Sequence, residues 1–267
     1  MMFDFSRNIY LNLILNGTAA TGPLSQVALL TTMPLPNGTI VEPSGNGYAR
    51  VSTGTNWTSP TNGVSSNSAT ITFPKATGSW GTILGLAIMT ADGNPLFYGP
   101  LRAPLNITAA SPVISLPVGA VIVSVEGGLG TTVQNNILTA FLRQVVPSGP
   151  STFYLGLSST MPEPDGVTGW TEPTINSGNY VRAVITNLGN WNNPVITGFG
   201  YNITIVSMPV GSRTGDWGAA PLVAFGLWDA ATGGNLWFYG KLLVPIPFAQ
   251  NTPTVSFEPG EIQIRLT

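Results

Sequence analysis

The chain has 267 residues, enough for one large domain or for two of about 130 residues, each with a core of its own. Only 7% of them are charged, where about 25% is usual, while Gly (32) and Pro (23) abound, which excludes helical bundles, coiled coils and charge-rich disordered tails. With no His and no Cys, Ser-His-Asp and Cys-His catalysis, imidazole or thiolate metal sites and disulfides drop out, and nine Lys+Arg against eleven Asp+Glu, nowhere clustered, offer no surface for nucleic acid.

The segment Met1 to Arg7 lacks a basic region followed by a long apolar core, so no secretory leader is expected. A helix is predicted next, capped by Ser6, carrying Ile9, Tyr10, Leu13 and Ile14, and closed by Asn16-Gly17. Val27 to Leu30 reads as a strand ending before the Met33-Pro34 turn, and Ala69 to Pro74 alternates with a period of two. Ala91-Asp92-Gly93-Asn94 supplies a hairpin turn between apolar runs. Glu126-Gly127-Gly128-Leu129-Gly130 reads as a linker, followed by a second helix with Thr132 as N-cap and Val133, Ile137, Leu138, Phe141, Leu142 and Val145 at helical spacing up to Pro147. Phe153 to Leu157 is a strand, Ala231 to Asn235 a second hairpin turn, and Pro259-Gly260 the turn of a hairpin joining Thr254–Phe257 to Glu261–Leu266. A mean hydropathy of +0.27 raises the question of a membrane. The longest apolar candidates, Val113 to Val125 and Ala219 to Trp228, fall short of the about 18 residues a span needs, so no insertion is expected.

The chain repeats itself. Thr31-Thr32-Met33-Pro34 returns as Ser159-Thr160-Met161-Pro162, Glu42-Pro43 as Glu172-Pro173, Tyr48-Ala49-Arg50 as Tyr180-Val181-Arg182, and Asn56-Trp57 as Asn190-Trp191. Gly78-Ser79-Trp80-Gly81 then matches Gly215-Asp216-Trp217-Gly218, Gly85-Leu86 matches Gly226-Leu227, Phe97-Tyr98-Gly99 matches Phe238-Tyr239-Gly240, and Ser115 and Gly119 match Ser256 and Gly260. The order is colinear, and the offset grows from 128 (Met33 to Met161) to 141 (Phe97 to Phe238), as insertions in loops would produce. The expected organisation is therefore mainly β: two tandem antiparallel β-sandwich domains, residues 1–126 and 127–267, each preceded by a short helix and built from about seven strands.

These blocks resemble a phage virion family usually labelled tail-fibre-like. Its short helix, its strand of the type tyrosine-valine-glycine-leucine-serine-threonine, and its glutamate-proline, glycine-tyrosine-alanine-arginine, glycine-serine-tryptophan-glycine and aspartate-alanine-x-glycine-glycine-asparagine-leucine motifs stand here at Phe153–Ser159, Glu42–Arg50, Gly78–Gly81 and Asp229–Leu236. The family's usual single copy is doubled, and the first copy departs from it with Met89-Thr90 where the second has Trp228-Asp229. The resemblance implies a non-enzymatic structural protein of a tailed-phage virion, partnered by its own copies and by tail, neck or major capsid proteins. A fibre or tail appendage is the leading place for it. Compact size and the absence of fibrous repeats speak for capsid decoration as a cement protein, and exposed aromatics would suit an adhesin for host-surface glycan.

Candidate chemistry is sparse. Glu163 and Asp165 lie two apart in a Pro-rich turn, and Glu258 and Glu261 flank the last turn, but the first copy has Pro36 and Gly38 where Glu163 and Asp165 would recur; solvated turns are expected. Gly127 to Gly130 lacks the Gly-Lys-Ser/Thr ending of a phosphate loop. Arg50 and Arg182 are expected to form bidentate pairs with Glu42 and Glu172, pinning a loop to a strand, and Trp80 and Trp217 to pack in the core. No catalytic, cofactor or metal residue is assigned. A surface of Thr, Ser, Asn, Gly and apolar groups desolvates more readily than a charged one and suits packing among copies.

Overall fold

The computed structural model describes residues 2–16, 25–145, 147–174, 180–186, 190–192, 194, 199–208, 217, 221–246 and 255–266. The first half contains α1 (Asp4–Asn16), β1 (Ser25–Leu30), β2 (Val51–Gly54), β3 (Val64–Ser66), β4 (Ile71–Thr72), β5 (Gly81–Thr90), β6 (Pro95–Ile107), β7 (Ser115–Leu116) and β8 (Ile122–Ser124). The second contains α2 (Thr131–Arg143), β9 (Thr152–Ser158), β10 (Ala183–Thr186), β11 (Gly200–Tyr201), β12 (Val206–Ser207), β13 (Leu222–Trp228), β14 (Leu236–Ile246), β15 (Ser256–Phe257) and β16 (Gln263–Ile264). The fold is mainly β, and every ladder among the described residues is antiparallel. No helix among the described residues is long and apolar enough to cross a membrane.

The two halves share one wiring. A four-stranded sheet runs β2-β1-β5-β6 in the first half and β10-β9-β13-β14 in the second. Two short ladders, β3 with β8 and β4 with β7, recur as β11 with β16 and β12 with β15. No ladder among the described residues pairs strands of different halves.

The hairpins at Gly93 (φ +86°) and at Gly233 and Gly234 (φ +59° and +79°) form as the sequence predicts, joining β5 to β6 and β13 to β14. The turn at Pro259-Gly260 forms too, but it does not close a hairpin. β15 pairs with β12 and β16 with β11, as β7 and β8 part company in the first half; Thr254 lies outside the described residues. An asparagine holds each parting. The fully buried Asn67 amide donates to Ala69 O and Pro117 O (both 2.8 Å) and accepts from Val121 N (2.8 Å). Asn202 does the same with Thr204 O (2.9 Å), Glu258 O (2.9 Å) and Ile262 N (2.9 Å). A short chain crossing that leaves backbone groups unpaired between two ladders needs a side chain with both donors and an acceptor, and Asn supplies both.

Strand register corrects the sequence alignment around Gly85. Leu29 and Leu157, equivalent through the tyrosines that cap them, stand opposite Leu86 and Phe225. Leu86 therefore corresponds to Phe225 and Ala87 to Gly226, and the match of Gly85-Leu86 to Gly226-Leu227 does not hold. Two of the extra residues of the second half then fall in its β13–β14 hairpin, between Trp228↔Leu236, against Met89↔Pro95.

Both helix caps differ from expectation. Ser6 lies inside α1, buried, with its hydroxyl 2.8 Å from Phe3 O and 2.9 Å from Leu96 O, and the first turn carries Asp4 paired with Arg7 (3.1 Å). Thr132 is likewise inside α2, whose N-cap is Gly130, and the helix stops at Gln144 in the left-handed conformation (φ 58°), leaving Val145 exposed. The close of α1 at Gly17 lies outside the described residues.

The helices bind the halves together. α2 buries Val133, Ile137, Leu138, Phe141 and Leu142 and packs on β14 of its own half and β3 of the other, while α1 packs reciprocally on β6 and β11. Phe141 sits 6.4 Å from Tyr10 and 6.0 Å, edge-on, from Phe97. Gly200 gives Leu15 the room a Cβ would take, and Arg143 donates to Trp57 O (2.6 Å). The apolar core accordingly runs unbroken from one half into the other.

Candidate functional site

The repeated Glu-Tyr-Arg triplets come together in both halves. Arg50 lies across Glu42 with contacts of 2.7 and 3.1 Å, Tyr48 donates its hydroxyl proton to Glu42 Oε2 (2.8 Å), and the same hydroxyl accepts Leu29 N–H (3.0 Å). β2 pairs with β1 only as far as Val27, so the Leu29 amide beyond it needs a partner, and the tyrosine is that partner. In the second half Arg182 donates to Glu172 (2.7 and 2.9 Å), Tyr180 donates to Glu172 (2.8 Å) and accepts Leu157 N–H (2.8 Å). The expected bidentate pairs are present, and each pins a loop to a strand.

The second clamp is the more enclosed. Arg182 is 3% exposed and Glu172 12%, against 29% for Arg50 and 16% for Glu42. The free Arg182 nitrogen donates to Ala230 O (2.9 Å) and Gly233 O (2.8 Å), tying in the β13–β14 turn, and the guanidinium lies 4.2 Å from the Trp228 ring centre. The Trp170 indole also donates to Glu172 (3.1 Å). Burial first of all lifts the Tyr48 and Tyr180 hydroxyls well above the usual phenolic range, and the hydrogen bonds that Arg50 donates to Glu42 raise Arg50 above its ordinary value. Every side-chain polar atom of the second triplet is engaged by its neighbours. The arrangement fastens strands and holds no base or nucleophile free for chemistry.

Trp80 and Trp217 are buried and equivalent. They meet Tyr48 and Tyr180 edge-on at 5.3 and 4.9 Å, and the Trp80 indole donates to Asn46 O (2.9 Å). Gly215, Asp216 and Gly218 beside Trp217 lie outside the described residues. Phe97 and Phe238 are core residues, and Tyr239 directs its hydroxyl to Gly127 O (3.3 Å).

The acids act in turns. Asp165 accepts Val167 N (2.9 Å), Thr168 N (2.8 Å) and the Thr168 hydroxyl (2.6 Å), which hold it below the usual carboxylate range, the hydroxyl first among them. Glu261 accepts Glu258 N (2.7 Å). Glu126, Glu163 and Asp165 share a cleft of about 480 Å³ at the junction of the halves, but the turn already uses both Asp165 oxygens. The glycines of the linker have a purpose that the sequence reading missed. Gly128 and Gly130 lie so close to the Tyr239 and Leu236 carbonyls that a Cβ would have no room, and they exchange backbone bonds with β14 (Gly130 N to Trp237 O and Tyr239 N to Gly128 O, both 2.8 Å). Residues 127–130 thus extend the sheet edge and do not cradle an anion.

A family model described as podophage GP4 fiber I protein gp80 matches residues 1–124 and again residues 128–265. The chain belongs to this podophage fibre family. No curated protein matches it. The fibre family match starts afresh within the glycine linker, where the wiring of strands also begins again. Within this fibre protein, the node asparagines went unnoticed in the sequence although their signal is there: Asn67-Ser68-Ala69-Thr70-Ile71-Thr72-Phe73-Pro74 runs parallel to Asn202-Ile203-Thr204-Ile205-Val206-Ser207-Met208-Pro209.

Proposed function

We propose that the protein is a non-enzymatic fibre or tail-appendage subunit of a tailed-phage virion, made of two equivalent units, residues 1–126 and 127–267, and present in multiple copies held by apolar and hydrogen-bonded contacts to one another and to neighbouring virion proteins. The family match over both segments carries this reading and favours an appendage over a capsid coat. The electrostatics support it. Only 7% of the residues are charged, and Glu42, Arg50, Glu172 and Arg182 are taken up by the internal clamps, so the surface has few charges to offer for ionic attachment. Exposed apolar side chains such as Leu35 (71%), Val167 (81%) and Ile122 (66%) are available for packing instead. The burial of Trp80 and Trp217 removes the motive for an adhesin built on them.

Virions washed in about molar salt should retain the protein, because screening weakens contacts between exposed charges and barely affects apolar burial. Quantitative staining should give copy numbers in the tens, as for an appendage. Hundreds of copies would move the protein to the capsid, and release by salt alone, or absence from particles, would refute the assignment.

A further inference from the structure

At two pairs of equivalent places, a cleft and a bulge, the halves differ in complementary directions. In the first half a cleft of about 460 Å³ opens between β6 and β8, walled by Leu86, Ile88, Leu101, Leu116 and Val123. The matching cleft between β14 and β16 is about 240 Å³. Register shows why: Phe225 and Phe257 stand where the first half has Leu86 and Leu116, and both rings are buried. Two leucines in place of two phenylalanines leave the first cleft open.

The last strands of the two sheets carry a wide bulge at the same position. Ile83↔Leu105 and Gly85↔Pro100 leave Leu84 alone opposite Leu101 to Pro104, and Leu222↔Ile246 and Ala224↔Lys241 leave Val223 alone opposite Leu242 to Pro245. Arg102 and Ala103 tip the first bulge. Leu243 and Val244 tip the second, 101% and 75% exposed, so the leucine touches nothing in its own chain. An uncharged apolar knob thus stands on one half, and on the other a cleft with leucine and valine walls and Arg102 at its edge.

We infer that the Leu243-Val244 knob of one copy seats in the Leu86-Leu116 cleft of a second copy of this chain. Knob and hole differ, so the contact is head-to-tail: each copy keeps one free knob and one free cleft, and association continues into a ring or a row. The inference rests on the multi-copy reading above and names the surface through which copies meet.

The chain has no Cys, so single cysteines report contacts cleanly. Purified full-length Leu243→Cys and Ile122→Cys proteins, the latter altered on the exposed rim of the cleft, would be mixed and mildly oxidised. The expected product is the 243–122 mixed disulfide, well above the random share. Sedimentation should show Leu243→Lys, which places a second cation beside Arg102 of the cleft, weakening self-association about tenfold or more, with an unchanged melting temperature because the side chain is fully exposed in its own chain. Leu86→Phe, which restores the ring of the second half, should weaken it likewise. Dominance of the 243–243 disulfide, a chain that stays monomeric at every concentration, or association indifferent to both substitutions would overturn the knob-in-cleft contact. Virions that carry many copies despite such a result would leave the multi-copy reading standing, so the two failures are distinguishable.

Discussion

Glu172→Gln and Glu42→Gln make a matched experiment, since the same clamp occurs twice in one chain with different burial. Glu172 accepts from Arg182 Nε (2.9 Å) and Nη2 (2.7 Å), from the Tyr180 hydroxyl (2.8 Å) and from the Trp170 indole (3.1 Å). Glutamine keeps one acceptor oxygen and turns an NH2 toward a guanidinium that is 3% exposed. Removing one partner of a buried pair leaves the other charge uncompensated, at about 3–5 kcal/mol. Arg50 is 29% exposed, so water takes over part of what Glu42 provides, and its loss should cost about 1–2 kcal/mol. At roughly 2–4 °C per kcal/mol for a protein of this size, a difference of about 1–4 kcal/mol separates the two melting temperatures by roughly 2–16 °C, with Glu172→Gln the lower. Scanning calorimetry at neutral pH, with denaturant curves to compare slopes, measures this. Equal losses, or a Glu172→Gln cost below about 1 kcal/mol, would show that enclosure does not set the strength of the clamp.

Gly130→Ala should lower the melting temperature and abolish hydrogen-exchange protection of the Gly130 amide, because the Leu236 carbonyl occupies the space of the new methyl group and the linker must leave β14. Asn202→Leu strands Thr204 O, Glu258 O and Ile262 N, at about 1–3 kcal/mol for each unpaired buried group, and denaturant unfolding should show a loss of at least about 3 kcal/mol; Asn67→Leu should match it. Tyr10, Tyr48 and Tyr180 are held protonated chiefly by burial, so the stability they contribute is present below the unfolded phenolic pKa of about 10 and lost as pH rises above it. Alkaline titration followed by ultraviolet difference absorbance should therefore show these phenolates appearing only with unfolding, and free titration near pH 10 in the folded state would contradict their enclosure.

The duplication, the β class, the glycine-marked hairpins and the Glu-Arg pairing were legible in the sequence because each is local or is written twice. A turn needs its positive-φ residues side by side, and a bidentate pair needs two residue types that recurred together at Glu42/Arg50 and Glu172/Arg182. Ser6 and Thr132 resemble caps on any local rule; what set the true helix starts was the approach of α1 and α2 to β6 and β14, which buried Ser6 against Leu96 and made Gly130 the cap. The glycines at 127–130 read as a short linker between the copies, yet they are required by a strand more than 100 residues away. The crossing of the helices between halves, the parting of β15 from β16 around Asn202, and the opening of one cleft by Leu86 and Leu116 all depend on which surfaces meet. Those meetings are decided by shape and unpaired backbone groups across distant segments, which no periodicity along the chain encodes.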